Sequence, residues 1–437
     1  MIMLKAIISV FMTIITFFGS LSAANIKVSA PAETNDFVPV LRFMVASDTH
    51  VMAAGDRQYK RIQKALKMSY AIAEGDGSYK KLDGVIFAGD TTDDGLQSQR
   101  CAFKSAIDSV IKPETQVMPL LAQAHDGGTY DFKSLDYFKM LHGVDATDNH
   151  YVINGYHFIT MSRAYVDGVR YADYQREWLI AELDKAVADD PTKPIFFAQH
   201  EHVDKTVYGS SDFEGWDDEF FKDIFVQYPQ LVHFSGHSHY PLSDPRSLWQ
   251  GEFTAIGTGS LYYVELTVED VRTVHPDGYK DEAQYWIVEV DADNRVRLIG
   301  IDLEEEKILV DYILDNPADP ANRDYTPEKQ AARSTAPAFD EDAKVEMKKS
   351  LGKVSLNFDS ARSTDGTPVY LYRINVVDAE GEEVYNDWLL PKYYSATVDA
   401  TNTVALGVLT KGEYTATITA ETAYGVQSDA ITYTFTK

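Results

Sequence analysis

The residues of this chain best suited to chemistry are His237 and His239, in the run Gly236-His237-Ser238-His239 directly after the apolar stretch Leu231–Ser235. At the end of a strand, side chains two apart share a face, so both rings are expected to point into one space. Neutral imidazole is the commonest protein ligand for a transition metal. The same arrangement recurs. Asp48-Thr49-His50 follows Leu41–Ala46, Gly89-Asp90 follows Gly84–Ala88, His125-Asp126 follows Gln116–Leu121, and Gln199-His200 follows Pro194–Ala198. Taken singly, each Asp or His reads as well as a cap or a satisfied polar group. Five such run ends in order are hard to explain that way. Mixed imidazole and carboxylate sets suit Zn, Fe or Mn. A carboxylate can bridge two ions, and a two-metal site clamps the attacking and leaving oxygens of a displacement at phosphorus. Gly89 and Gly236 allow sharp backbone turns beside such ions.

Stepping along the chain, the apolar runs alternate with helical spacing. Strands are expected at Leu41–Ala46, Gly84–Ala88, Gln116–Leu121, Tyr156–Met161, Pro194–Ala198 and Leu231–Ser235. Helices are expected at Arg57–Ala73, Leu96–Val110 and Asp173–Ala188. Near-continuous apolar strands between helices predict an α/β domain whose sheet is covered on both faces. Ligands in such sheets bind beyond the carboxyl ends of the strands, where the Asp and His residues lie. Glu252–Ile256, Leu261–Leu266, Gln284–Val290 and Val296–Ile301 have little helix between them and predict an antiparallel finish. Residues 314–345, rich in Pro, Ala, Asp and Lys, read as a partly extended linker. From Lys353 the pattern turns to period two, as in Val354, Leu356, Phe358 and in Tyr414, Ala416, Ile418, Ala420. That predicts an all-β sandwich of about 90 residues.

At this point the chain resembles the calcineurin-like metallophosphoesterases, from about Leu41 to Asp302. Asp48-Thr49-His50 matches that family's D-x-H, Gly89-Asp90 its G-D, His200 its single-His motif and Gly236-His237-Ser238-His239 its G-H-x-H. Tyr174 to Leu179 looks like the Q-x-x-W-L helix that often precedes the His200 strand. The resemblance implies one ion on Asp48, His50 and His239 and a second on His200 and His237, with Asp90 bridging. It implies a metal-bridging hydroxide attacking phosphorus in line. It also implies that His125, oriented by Asp126, meets the phosphate and leaving oxygen. One motif departs: where the family has G-N-H-D, this chain has Gln123-Ala124-His125-Asp126. The Asn that would ligate the second ion is Ala124, whose methyl group cannot, so the second site is expected to be weakened. Leu409 to Tyr414, followed by Ala423-Tyr424-Gly425, is similar to the tyrosine-corner strand of fibronectin type III domains.

The net charge of −27 argues against nucleic acid or an anionic membrane surface as a partner. An acidic protein that handles a phosphate ester needs local positive charge, which bound metal ions supply. Lys5, the apolar run Ala6–Phe18 and Ser22-Ala23-Ala24 read as a signal peptide, giving a secreted or periplasmic protein with no membrane span after cleavage. Cys101 is the one cysteine, so no internal disulfide forms, and its helical spacing suggests a buried side chain. His202 is a contact of the cleft or a solvated loop residue. Gly209–Asp218, with Phe213 and Trp216, is a cleft wall or a surface loop. Val271–Gln284, with His275, reads as a surface insertion, and His142, His150, His157 and His233 as structural. Asp291–Asn294 reads as a hairpin turn and not a calcium loop.

The expected fold class is therefore α/β, a metallophosphoesterase-type β-sandwich flanked by helices, followed by an all-β fibronectin type III-like sandwich. The expected divisions are 1–24 signal peptide, 25–313 phosphoesterase domain, 314–345 linker and 346–437 sandwich. The expected activity is hydrolysis of a phosphomonoester or phosphodiester with two ions of Mn, Fe or Zn. Two alternatives stand beside it. One is a degenerate, weakly active or non-catalytic binding protein. The other is a chain whose sandwich acts in glycan or surface contact while the N-terminal domain serves as scaffold.

Overall fold

A computed structural model describes residues 36–122, 124–127, 132–164, 170–211, 216–268 and 271–437. The signal-peptide segment, Gln123 and Phe213 lie outside the described residues. Two six-stranded sheets form the first part of the chain. One runs in the order Lys307–Leu314, Val296–Asp302, Gln284–Asp291, Pro39–Ala46, Gly84–Phe87, Gln116–Pro119. The other runs Leu248–Gln250, Thr254–Gly257, Leu231–Ser235, Ile195–Ala198, Tyr156–Thr160, Asn149–Ile153. Alternation along each strand explains the layering. In Pro39–Ala46, Phe43 and Val45 point between the sheets, where Phe43 meets Phe158 and Phe196 with ring centroids 5.0 and 4.8 Å apart. Met44 and Ala46 point outward under helices Arg57–Gly75 and Gln97–Asp108. Helix Asp173–Asp189 covers the outer face of the second sheet, with Leu179 and Leu183 buried on Phe197 and Ile159. Asp56 caps Arg57–Gly75 by accepting a hydrogen bond from the Tyr59 amide at 2.6 Å.

Pro39–Ala46, Gly84–Phe87 and Gln116–Pro119 are mutually parallel, as are Tyr156–Thr160, Ile195–Ala198 and Leu231–Ser235. Their carboxyl ends carry the Asp and His runs. The expected antiparallel finish holds for Gln284–Asp291, which pairs with Pro39–Ala46 and with Val296–Asp302. It holds on one side only for Thr254–Gly257, which is antiparallel to Leu248–Gln250 but parallel to Leu231–Ser235. Leu261–Leu266 is not a strand. It is an irregular segment leading into the short strand Leu266–Val268, because its backbone groups bond to site loops, as when the Leu261 amide donates to the Ser47 carbonyl.

Cys101 is exposed and not buried. Its helix turns Ala102, Phe103, Ala106 and Ile107 inward, which leaves Cys101 on the outer side beside the Tyr137 hydroxyl at 2.8 Å. Between 314 and 345 lie the 3₁₀ turn Pro320–Asn322 and helix Pro327–Arg333. Arg323 donates to the Gly251 and Glu252 carbonyls, and Gln330 to the Leu248 carbonyl, so this stretch is pinned to the edge of the second sheet. Beyond it, Val345–Ser350, Lys353–Asp359 and Thr401–Gly407 form one sheet. Glu383–Leu389, Val369–Asp378, Glu413–Thr422 and Ile431–Thr436 form another. The period-two positions Val354, Leu356, Phe358, Ile374, Val376, Ala416 and Ile418 make their shared core. This all-β unit packs on the first part of the chain through Tyr370, Leu371, Tyr393 and Tyr394, which meet Val264, Leu266 and Val268.

Candidate metal centre

The parallel strands place their terminal loops together. Among the described residues, three groups bring at least three His or carboxylate atoms within 4.8 Å of one another. They are Asp48, His50 and His239; Asp90, His200 and His237; and His50, Asp93 and His125. The first two are the sets expected from sequence. His239 Nε2 stands 3.2 Å from Asp48 Oδ1, and His200 Nε2 stands 3.2 Å from Asp90 Oδ2. His50 Nε2 lies 3.9 Å from the same Asp90 oxygen, so this carboxylate faces both sets. His237 Nδ1 is 3.1 Å from His200 Nε2.

Local backbone explains how these side chains are presented. Asp48, His50, Asp90, His237 and His239 have φ of 50°, 44°, 48°, 72° and 57°, in the left-handed region that non-glycine residues rarely adopt. His237 and His239 thus do not share a face as strand residues. They follow the end of Leu231–Ser235 in left-handed turns, and each ring reaches a different set. Such strain costs of order 1 kcal/mol or more per residue and clusters where function requires it. Gly236 is needed for close approach: a Cβ there would stand 2.4 Å from Asp48 Oδ2.

The donor chemistry fits a cation. His50 Nε2 and His239 Nδ1 are buried without a hydrogen-bond partner, while His50 Nδ1 has the Asp93 carboxylate 3.5 Å away. Unpaired buried polar atoms are costly unless a ligand meets them. Burial works against charge on the His200 ring, yet the Asp90 and Asp48 carboxylates raise it to about 10. Burial would raise Asp48, but His239 and His200 bring it down to about 2. Asp90 is driven below the usual carboxylate range against burial, chiefly by His200. Burial and the neighbouring His200 lower His237 to about 4. The buried carboxylates here favour positive charge beside them, which a bound cation supplies.

His125 and Asp126 sit beside these sets, with contacts other than the expected one between them. Asp126 does not touch the His125 ring in any described contact. Its carboxylate accepts from the Thr91 amide and hydroxyl at 2.7 and 2.6 Å, the Thr92 amide at 3.0 Å and the Ala122 amide at 3.0 Å, which fixes the loop bearing Asp90. His125 Nδ1 bonds instead to the Asp93 carbonyl at 2.6 Å. The Asp93 carboxylate also stands 3.5 Å from His50 Nδ1, so one residue steadies two imidazoles. Sequence reasoning missed Asp93. Its one signal was the spacing Asp90-x-x-Asp93 within a single loop. Ala124 begins the short helix Ala124–Gly127.

His202 is buried, not a solvated loop residue. Its ring bridges Ser235 Oγ at 2.7 Å and Ser238 Oγ at 2.8 Å, bracing the turn that carries His237 and His239. Trp216 meets the His237 ring edge-on at 4.9 Å. Tyr262 and Tyr263 lie against His50 and His239 at 4.8 and 4.2 Å. Glu265, between Tyr263 and the strand Leu266–Val268, bonds through its amide to the His239 carbonyl at 3.1 Å. His275 stacks on Tyr279 and reaches Glu265 at 3.3 Å. His150 and His157 are linked at 2.7 Å between Glu182 and Asp189, and His233 is packed on Phe197, away from the centre. At the hairpin after Gln284–Asp291, the Asp291 carboxylate accepts from the Asp293 and Arg295 amides, as a turn does.

Residues 41–241 match the family model for the calcineurin-like phosphoesterases. Its mixed α/β architecture, two sheets flanked by helices, is the metallophosphoesterase fold. A probable cyclic nucleotide phosphodiesterase of Rhodococcus erythropolis is 26% identical over 231 residues, covering 51% of this chain and 72% of that protein. Two solved structures are similar at lower identity. The GAP50 inner-membrane-complex anchor of Plasmodium has 12% identity and a TM-score of 0.44, over 63% of this chain and 89% of that one. A purple acid phosphatase from yellow lupin seeds has 12% identity and a TM-score of 0.45, over 62% of this chain and 53% of that one.

Proposed function

We propose that this chain is an exported phosphoesterase that hydrolyses a phosphomonoester or phosphodiester with the help of two transition-metal ions. The observation that carries the reading is the pair of donor sets facing one shared carboxylate, Asp90. Asp48, His50 and His239 would hold one ion, and His200 and His237 the other. When bound, such ions supply Lewis acidity and a nucleophile active near neutral pH, and Mn, Fe and Zn all accept these donors. The remaining work falls to the chain. His125, with Nδ1 fixed on the Asp93 carbonyl, offers Nε2 as its free hydrogen-bonding atom for a phosphate or leaving oxygen. Asp126 holds the Asp90 loop in place. The relative named as a probable cyclic nucleotide phosphodiesterase supports a diester among the substrates.

Export rests on the charge and apolar pattern of residues 1–24. Among the described residues no helix is long and apolar enough to cross a membrane. A fibronectin type III-like identity for the C-terminal unit is supported by Tyr414, whose hydroxyl donates back to the Thr410 carbonyl at 3.1 Å, the contact of a tyrosine corner. Ala124 favours a second reading, a relative with a weakened second ion and low turnover. Two measurements decide. Metal content per purified chain is expected near two, and nitrophenyl mono- and diesters are expected to be hydrolysed with added Mn or Zn. A chain that takes up no transition metal sinks both readings; about one ion per chain with little turnover on either ester selects the second.

A further inference from the structure

The wall behind the first ion's ligands is a single segment, residues 258–268. Ser260 Oγ donates to the Asp48 carbonyl at 3.2 Å, and the Leu261 amide to the Ser47 carbonyl at 3.2 Å. Tyr262 and Tyr263 lie on the His50 and His239 rings, and the Glu265 amide holds the His239 carbonyl. This segment is irregular up to the short strand Leu266–Val268, and its start is held from helix Arg57–Gly75 by Arg61, which donates to the Leu261 and Tyr262 carbonyls. The C-terminal sandwich covers its later part. Val264, Leu266 and Val268 are buried against Tyr370, Leu371, Tyr393 and Tyr394. The Tyr370 hydroxyl donates to the Thr267 carbonyl, and so does that of Tyr208, which receives the Thr267 amide at 3.1 Å. The Arg246 guanidinium lies between the Tyr208 and Tyr370 rings, at 4.0 and 4.6 Å, while paired with Asp244. Tyr208 in turn stacks at 4.3 Å on Tyr240, the residue after His239. Two routes thus run from Tyr370 to His239, one through Thr267 and Glu265 and one through Tyr208 and Tyr240.

The second set is supported differently. His200 Nδ1 bonds to the Ala88 carbonyl at 2.9 Å, and its carbonyl receives the Gly236 amide at 2.9 Å. The neighbouring Glu201 is paired with Arg163 and receives the Tyr171 hydroxyl at 2.6 Å. All these residues lie in the phosphoesterase segment.

We infer that the C-terminal sandwich is a positioning element for one half of the centre, the Asp48–His50–His239 half, with Tyr370 as its principal contact. This inference rests on the two-ion reading above. Loss of groups that orient metal ligands weakens metal binding about 10- to 100-fold. The sandwich therefore sets the affinity of the first ion and leaves that of the second alone.

The test uses the full chain and Mn(II) titration. In a His237→Ala background only the first set is complete, and in a His239→Ala background only the second. Tyr370→Ala is expected to weaken Mn(II) binding at least about 10-fold in the first background and by less than about 2-fold in the second. Tyr370→Phe, which keeps the ring on Arg246 and removes only the hydroxyl's contacts with Thr267 and, at 3.4 Å, with the Tyr208 hydroxyl, is expected to give a smaller loss with the same asymmetry. It decides the matter if the alanine variant does not fold. Equal losses in both backgrounds, or none in either, overturn the inference. A chain with native Tyr370 that binds no Mn(II) in either background overturns the two-ion reading instead.

Discussion

Gly236→Ala isolates the geometry of the first half-site with one methyl group. The new Cβ would stand 2.4 Å from Asp48 Oδ2, 2.5 Å from Ser47 Oγ and 2.7 Å from Ser47 Cβ, against an ordinary contact of 3.4 Å or more. The Asp48 carboxylate must therefore retreat by about 1 Å, the scale of misplacement that costs roughly 100-fold in rate. It has nowhere soft to go. It is fully buried, receives the His237 amide at 3.1 Å and is bonded to Ser47. Crowding of this kind in a packed site costs about 1–3 kcal/mol of stability. Gly257→Ala is the control, because its Cβ would meet nothing closer than Ser247 at 3.7 Å. Metal titration, turnover of bis-nitrophenyl phosphate and thermal melting of both variants give the comparison. Gly236→Ala is expected to lose first-ion affinity about 10-fold or more and turnover about 100-fold, with Gly257→Ala near wild type. If Gly236→Ala keeps affinity and turnover within about 3-fold of wild type, Asp48 is not the rigid ligand described here.

Three further outcomes are expected. Ala124→Asn restores a carbonyl donor, so second-ion affinity or turnover rises in metal titration and ester assays; no change means another group already fills that place. His202→Ala leaves two buried serine hydroxyls without their bridge, so urea unfolding reports a loss of about 2–4 kcal/mol, together with weaker metal binding. Asp148 is raised by burial to about 6, against hydrogen bonds from Gln175 and the Ser162 amide. The folded state therefore keeps a proton that the unfolded chain releases near pH 4. Stability contributed by that proton is full below about pH 4 and is lost as pH rises to about 6. Asp148→Asn removes this dependence and gains up to about 3 kcal/mol at pH 7 relative to pH 4. A difference between variant and wild type that is constant across this range in melting scans refutes the assignment.

Much of the candidate site was legible because its candidate ligands stand where continuous apolar runs stop. Asp48, Asp90, His200, His237 and His239 are all marked by the strand before them. Asp93 lies one turn further on, with no apolar run to flag it, and its role depends on the left-handed turn at Asp90. The expectation that His237 and His239 share a strand face failed for the same reason: alternation ends where φ changes sign. The family resemblance implies that Asp126 orients His125, but its carboxylate is taken by the Ala122 amide and by the Thr91 and Thr92 amides, the latter two contacts that only the fold brings near. Cys101 was misread because spacing identifies a helix more readily than it fixes which side faces in. The contact between Tyr208 and Tyr370 spans 162 residues of sequence, and no local pattern carries it.

The parallel strand ends that carry the ligands belong to two different sheets, and this constrains the order of folding. Asp48 and His237 are 189 residues apart. Contacts so distant in sequence form late, after the loop entropy between them has been overcome. Neither donor set of three exists until Phe43 has packed on Phe158 and Phe196 and the sheets are docked. An ion held by these two sets would thus find its full set of donors only after the sheets are docked, unlike zinc in a finger. Such an ion would be captured by a chain that has already folded.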